Sequence, residues 1–199
     1  MRPLFVTLEG PEGAGKSTQL GLLAESLAGH DPVVLREPGG TALGERVRDL
    51  VLHGDCEIGA ESEAYLFMAA RAQLVEERIR PALRAGRLVL CDRYHDATRA
   101  YQGLVGGVDV PWPDSFPRPD LTALLLVPAE IGLQRQAAQG KAPDRLESRP
   151  IAFHERIADA YRRLAAAEPD RWLQVDGAQP ADRICATLTD RIERMIGGE

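Results

Sequence analysis

The stretch Gly10-Pro-Glu-Gly-Ala-Gly-Lys16-Ser17 leaves this chain few folds to choose from. It follows the apolar run Leu4-Phe-Val-Thr-Leu8 and precedes Leu20, Leu23, Ala24 and Leu27, which recur at helical spacing. The octapeptide therefore sits between a buried strand and a helix, the setting in which G-x-x-x-x-G-K-[ST] works as a phosphate-binding loop. Gly10, Gly13 and Gly15 let consecutive backbone N–H groups turn inward around an anion, and Pro11, Glu12 and Ala14 complete the cradle. The helix that opens at Lys16 and continues through Thr18 points its positive end at the same place. Lys16 is placed to reach the outer phosphates and the Ser17 hydroxyl to ligate Mg²⁺.

Four further apolar runs read as short buried strands: Pro32–Leu35, Leu88–Cys91, Leu121–Val127 and Trp172–Val175. Helical patterns lie between them, so the chain alternates strand and helix. That alternation calls for a five-stranded parallel sheet with right-handed crossovers and helices on both faces, and for chemistry at the strands' carboxyl ends. With 199 residues there is enough chain for one well-packed domain and little for two, so a single domain over 1–199 is expected.

Several positions near those strand ends carry chemistry. Asp92 stands at the tip of Leu88–Cys91, where an acid paired with a phosphate loop holds Mg²⁺ or caps the helix that follows, and the adjoining Arg93 can grip a phosphate with two N–H groups. Glu61 to about Arg80 reads as a helix that Pro81 ends or kinks. Its core stripe is Ala64, Met68, Ala72, Val75 and Ile79. A second stripe carries Phe67 and Arg71, a ring and a guanidinium four residues apart, which read as one binding face or as a core ring beside a surface charge. Tyr94, Thr98 and Tyr101, with Gln102, fall on one face of the next helix and suit a base and its sugar, or a mixed surface face. Arg135, Lys141, Arg145 and Arg149 cluster around the breaker-rich Gln139-Gly-Lys-Ala-Pro143. They read as solvated charge or, in a phosphate-handling protein, as the cations of a closing lid over about 135–150.

Composition narrows the partners. A net charge of −6 argues against broad nucleic-acid binding, and no apolar run approaches the about 20 residues a membrane helix needs. The N-terminal apolar run meets Glu9 too soon for a secretory segment. Cys56, Cys91 and Cys185 have no metal-ligand spacing and read as free thiols of a cytoplasmic protein.

Taken in order with the phosphate loop, Glu37-Pro-Gly-Gly-Thr41, Asp92-Arg-Tyr94, Ala100-Tyr-Gln-Gly103 and Asp144-Arg-Leu-Glu147 resemble thymidylate kinase, from Phe5 to Ile196. The resemblance implies a P-loop nucleoside monophosphate kinase fold and phosphoryl transfer from ATP to dTMP with Mg²⁺, in a homodimer. It implies that Glu12 contacts the deoxyribose 3′-hydroxyl, Phe67 stacks on thymine, Arg71 bonds its O4 and Arg93 holds the acceptor phosphate. Thr98 and Gln102 then line the base, Tyr101 crowds the sugar's 2′ position, and Glu37 belongs to the same pocket. Some members of the family carry an arginine where this chain has Gly13. Here the resemblance is to the bacterial type, in which lid arginines stabilise the transferring group, with Arg145 the first candidate and Arg135 the second. Ala97 and Gln139 depart from the family's common Ser and Arg, leaving one hydroxyl fewer near the base and one lid charge fewer.

Two other readings compete. A kinase of the same fold acting on another nucleotide or a deoxynucleoside is opposed by Arg71, which only donates and so suits a pyrimidine O4 rather than the amino group of cytosine. A nucleotide-dependent switch is opposed by the lack of a guanine-reading Asn-Lys-x-Asp run.

Overall fold

A computed structural model describes residues 3–138, 140 and 144–198. The five expected strands form one parallel sheet: β1 (Leu4–Glu9), β2 (Val33–Arg36), β3 (Leu88–Asp92), β4 (Leu121–Leu126) and β5 (Trp172–Asp176), in the order β2-β3-β1-β4-β5. The chain leaves β1 for β2 on one side of the sheet and leaves β3 for β4 on the other. The segments after β1 and β3 therefore meet at the carboxyl edge, where the register sets Leu8 opposite Asp92.

Alternation along β1 divides the core. Leu4, Val6 and Leu8 face α1 (Lys16–Ser26) and α8 (Ala181–Gly197), packing on Leu20, Leu23, Leu27, Ile184, Leu188 and Ile192. Phe5, on the opposite face, joins Leu74, Val75 and Ile79 from the segment after α2 (Ala42–His53). Further along that face Leu124 meets Ile157, Tyr161 and Leu164. These come from α7 (Ile151–Ala167), which follows α6 (Ala129–Ala137). No helix among the described residues is long and apolar enough to cross a membrane.

The structure corrects three local readings and decides a fourth. The strand β2 is an edge strand in which only Leu35 is buried, and Val34 lies open to solvent because no neighbour covers it. Of the two outcomes expected at Pro81, an end or a kink, the helix from Ala60 does not end there. It runs as α3 (Ala60–Leu74), a π-helical turn (Val75–Ile79) and α4 (Arg80–Arg84), with the widened turn just before the proline that cannot donate to the ladder. Ala72 faces solvent on this helix, while Leu74 and Arg71 take inward positions. Tyr94 precedes α5 (His95–Thr98) instead of lying on it and is fully buried, its ring 4.9 Å from Phe5 and 5.9 Å from Trp112. It therefore belongs to the core and not to a binding wall. Tyr101 and Gln102 lie beyond α5 in a second π-helical turn (Arg99–Val105).

Candidate active site

The loop after β1 closes on its own lysine. Lys16 is buried, and its Nζ donates to the carbonyls of Gly10 (3.0 Å) and Pro11 (2.8 Å). Burial, then the charge of Arg93, pushes the ammonium below its ordinary pKa, against the opposing pull of Glu12. Phosphate oxygens arriving at this point would relieve that deficit. Ser17 Oγ donates to Asp92 Oδ2 at 2.7 Å, so the tip of β3 meets the start of α1. The hydroxyl and carboxylate are the hard oxygen ligands that Mg²⁺ prefers, and phosphates and water usually fill its other positions. Among the described residues no cluster of three or more His, Cys, Asp or Glu offers a rival metal site.

Gly13 shows how tightly the loop is packed. With φ of 68°, a Cβ there would lie 2.0 Å from the carbonyl oxygen of Gly132 in α6. A Cβ on Gly132 would in turn lie 2.4 Å from Glu12 O. The two glycines let loop and helix touch backbone to backbone, so no side chain fits at position 13 in this packing.

Arg93 joins the loop to the rest of the site. Its φ of 66° is rare for a residue with a side chain, and its N–H still donates to Leu8 O at 2.9 Å before the chain turns. The guanidinium donates to Gly10 O (3.2 Å), Tyr161 Oη (3.1 Å), Tyr101 Oη (3.3 Å) and Glu12 Oε1 (2.5 Å). Burial opposes ionisation of Glu12, but Arg93 and then Lys16 outweigh it and hold the carboxyl below its ordinary range. Behind Arg93, Glu9 accepts from Tyr161 Oη and from the Tyr94 N–H, both at 2.8 Å. Burial, then Asp96, pushes Glu9 up to about 8.

The far end of the site is built on α3 and α5. Arg71 is buried among acceptors. Nε donates to Glu37 Oε2 (2.7 Å), and Nη1 to Thr98 Oγ1 (3.1 Å) and His95 Nδ1 (3.3 Å). Burial, then Arg71, pushes His95 down to about 3, so its Nδ1 accepts while Nε2 donates to Pro111 O at 3.2 Å. Glu37 Oε1 is buried with no partner among the described residues.

One cleft of about 1270 Å³ joins the two ends. Glu12 to Thr18, Asp92 and Arg93 line one part of it, and Glu37, Phe67, Arg71, Ala97, Thr98, Tyr101 and Gln102 line the other. Arg135 lines it too and donates to Gly177 O at 2.9 Å. Arg145 does not. It lies in an adjoining cavity of about 240 Å³, donating to Glu63 Oε1 and, at 3.0 Å, to Val51 O. Arg149 stacks on Phe153, while Gln139 and Lys141 lie outside the described residues.

Sequence reasoning missed Glu9, Glu63 and Tyr161, and also Gly177 and Gln179, which line the cleft with Arg135. A carboxylate immediately before the loop was a signal for Glu9. Tyr161 lies on the apolar stripe of α7, where nothing sets its hydroxyl apart from core.

A phosphate-binding type of loop that shares a cleft, and the contacts of Arg93, with a pocket lined by an aromatic ring and polar side chains is the arrangement of the P-loop nucleotide kinases. The comparisons narrow that class. The thymidylate kinase family model matches residues 8–187, and the chain belongs to the thymidylate kinase family. It is 48% identical over 203 residues to the thymidylate kinase of Thermomicrobium roseum, covering 96% of each chain. It is likewise 48% identical over 194 residues to that of Deinococcus radiodurans, covering 93% of this chain and 94% of the relative. The crystal structure of thymidylate kinase from Ehrlichia chaffeensis superposes with a TM-score of 0.75 at 28% identity, covering 97% of this chain and 99% of that one.

Proposed function

We propose that this protein transfers the γ-phosphoryl group of ATP to dTMP, giving dTDP and ADP, as a step in dTTP synthesis. Family membership supports the reaction. The observation that carries it to this chain's residues is the position of Arg93, lining the cleft between the Lys16 loop and the Phe67–Arg71 pocket. The donor phosphates lie in the loop against Lys16, with adenine toward Arg135, Gly177 and Gln179. The acceptor lies across Arg93, which holds its phosphate and sets its oxygen toward the donor. Phe67 stacks on the base, Arg71 donates to O4, Thr98 and Gln102 complete the pocket, and Glu12 and Tyr101 face the sugar. Glu37 keeps Arg71 aimed.

Ser17 and Asp92 hold Mg²⁺, which when bound neutralises charge on the donor phosphates. The segment at about 135–150 is a lid on a single domain. Arg145 leaves Glu63 as the lid closes and reaches the phosphoryl oxygens, where charge spreads in the transition state. Exposed Leu43 and Leu50, seven apart on α2, with Tyr65 on α3, give a face for a second copy in a cytoplasmic homodimer. The test is ADP formation from Mg·ATP. Sustained turnover requires dTMP, and equal turnover with water alone would refute the transfer reading.

A further inference from the structure

Glu63 stands in the first turn of α3 and is buried. Its two oxygens have different tasks. Oε1 accepts from Arg145, and Oε2 accepts from Gln102 Nε2 at 2.5 Å. Gln102 is itself buried and lines the cleft beside Thr98 and Phe67. Among the described residues no hydrogen bond reaches its Oε1. A side-chain amide can present either end to a ligand, and its neighbours decide which. A carboxylate accepts only, so Glu63 fixes the end of Gln102 that turns toward it.

We infer that Glu63 is a specificity-determining positioning residue: by holding Nε2 of Gln102, it commits Oε1 to accept an N–H from the acceptor base. This rests on the placement of the base between Phe67 and Gln102 proposed above. The pocket then presents a donor, Arg71, to a ring carbonyl and an acceptor, Gln102 Oε1, to the N–H beside it. Thymine offers that pair as C4=O and N3–H. Cytosine offers the reverse, an amino donor at C4 and a bare acceptor at N3, and meets two mismatches. If the Gln102 amide could turn over, Nε2 would satisfy the bare N3 and one mismatch would vanish. Glu63 withholds that option, so part of the discrimination is set by a residue that touches no substrate.

The test compares kcat/KM for dTMP and dCMP in the wild type, Glu63→Gln, Glu63→Thr and Gln102→Leu. Glutamine and threonine can each donate or accept, so both release the constraint. The dTMP:dCMP ratio is expected to fall about tenfold in both, mostly through KM, which is the scale of one hydrogen bond. A merely structural role for Glu63 lowers both kcat/KM values together. Loss of the Arg145 contact likewise acts equally on the two acceptors, so neither effect moves the ratio. Gln102→Leu is expected to raise the dTMP KM. If it does so while both Glu63 variants keep the wild-type ratio, the inference fails and the base placement stands. If Gln102→Leu leaves the dTMP KM unchanged, the placement fails and the inference with it.

Discussion

Arg93 and Glu12 form an ion pair at 2.5 Å, with both side chains largely shielded from solvent. The guanidinium proposed to hold the acceptor phosphate is thus aimed by a carboxylate of the loop proposed to bind the donor. Tyr101 Oη donates to the same Glu12 oxygen at 3.0 Å, and the Arg93 guanidinium lies 5.2 Å from the Tyr101 ring centroid. The loop proposed for the donor, the arginine proposed for the acceptor phosphate and the ring proposed to face the sugar are therefore one hydrogen-bonded unit, the kind of preorganisation that phosphoryl transfer relies on.

Lys16→Ala removes the cation that the loop buries against its own carbonyls. Turnover with saturating ATP and dTMP is expected to fall by about a hundredfold or more, because the lost charge acts on the developing transition state. A coupled ADP assay checks this. Near-normal turnover would contradict the role given to the loop.

Arg145→Ala separates lid chemistry from ground-state binding. Its kcat is expected to drop by about a hundredfold while the dTMP KM stays within about threefold, the signature of an interaction made in the transition state. The reverse pattern would return Arg145 to its resting partners Glu63 and Val51 as a structural residue. Arg135, already in the cleft, then becomes the leading candidate.

Gly13→Ala drives a methyl group into the Gly132 carbonyl and forces a left-handed backbone on a residue with a side chain. The variant is expected to lose about 2 kcal/mol or more of stability and most of its kcat, as α6 is pushed off the loop. Thermal unfolding and turnover measured together check it. A wild-type Tm and kcat would show that the contact is looser than the backbone distances require.

Glu9 makes stability depend on pH. The folded protein keeps a proton to about pH 8 that the unfolded chain gives up near its ordinary value of 4.5. The unfolded state binds fewer protons across that window, so the stability from the neutral carboxyl is full below it and is lost as pH rises toward 8. Glu9→Gln retains an acceptor for the Tyr94 N–H and offers Nε2 to the Tyr161 hydroxyl without titrating. Its Tm is expected to fall less between pH 5 and 8 than that of the wild type. Parallel Tm profiles would contradict the burial of a neutral Glu9.

The strands and the phosphate loop were legible because their signals are local: apolar runs of four to seven residues, and glycines at fixed spacing before Lys16. Phe67, Arg71, Thr98 and Gln102 were legible through resemblance, and the cleft does bring them together. Tyr94 was misread because an i, i+4, i+7 pattern assumes that the helix has already begun. The positive φ of Arg93, a tertiary consequence of the β1–β3 ladder, turns that ring under the sheet. Ala72 was misplaced because Arg71, a charged residue, takes the inward position that an apolar pattern assigns to its neighbours. Glu37 offsets that charge from 34 residues away. Glu63 was invisible for the same reason: its partners Gln102 and Arg145 lie 39 and 82 residues further along the chain.

The most direct test of the account is kcat/KM with Mg·ATP across dTMP, dUMP, dCMP, UMP, AMP, GMP and thymidine. A pocket that pairs the Arg71 donor with a ring carbonyl, and Arg93 with a phosphate, predicts dTMP first. It predicts dCMP and the purine nucleotides lower by about a hundredfold or more, and thymidine essentially inactive. Comparable turnover of thymidine and dTMP, or a preference for dCMP, would contradict it.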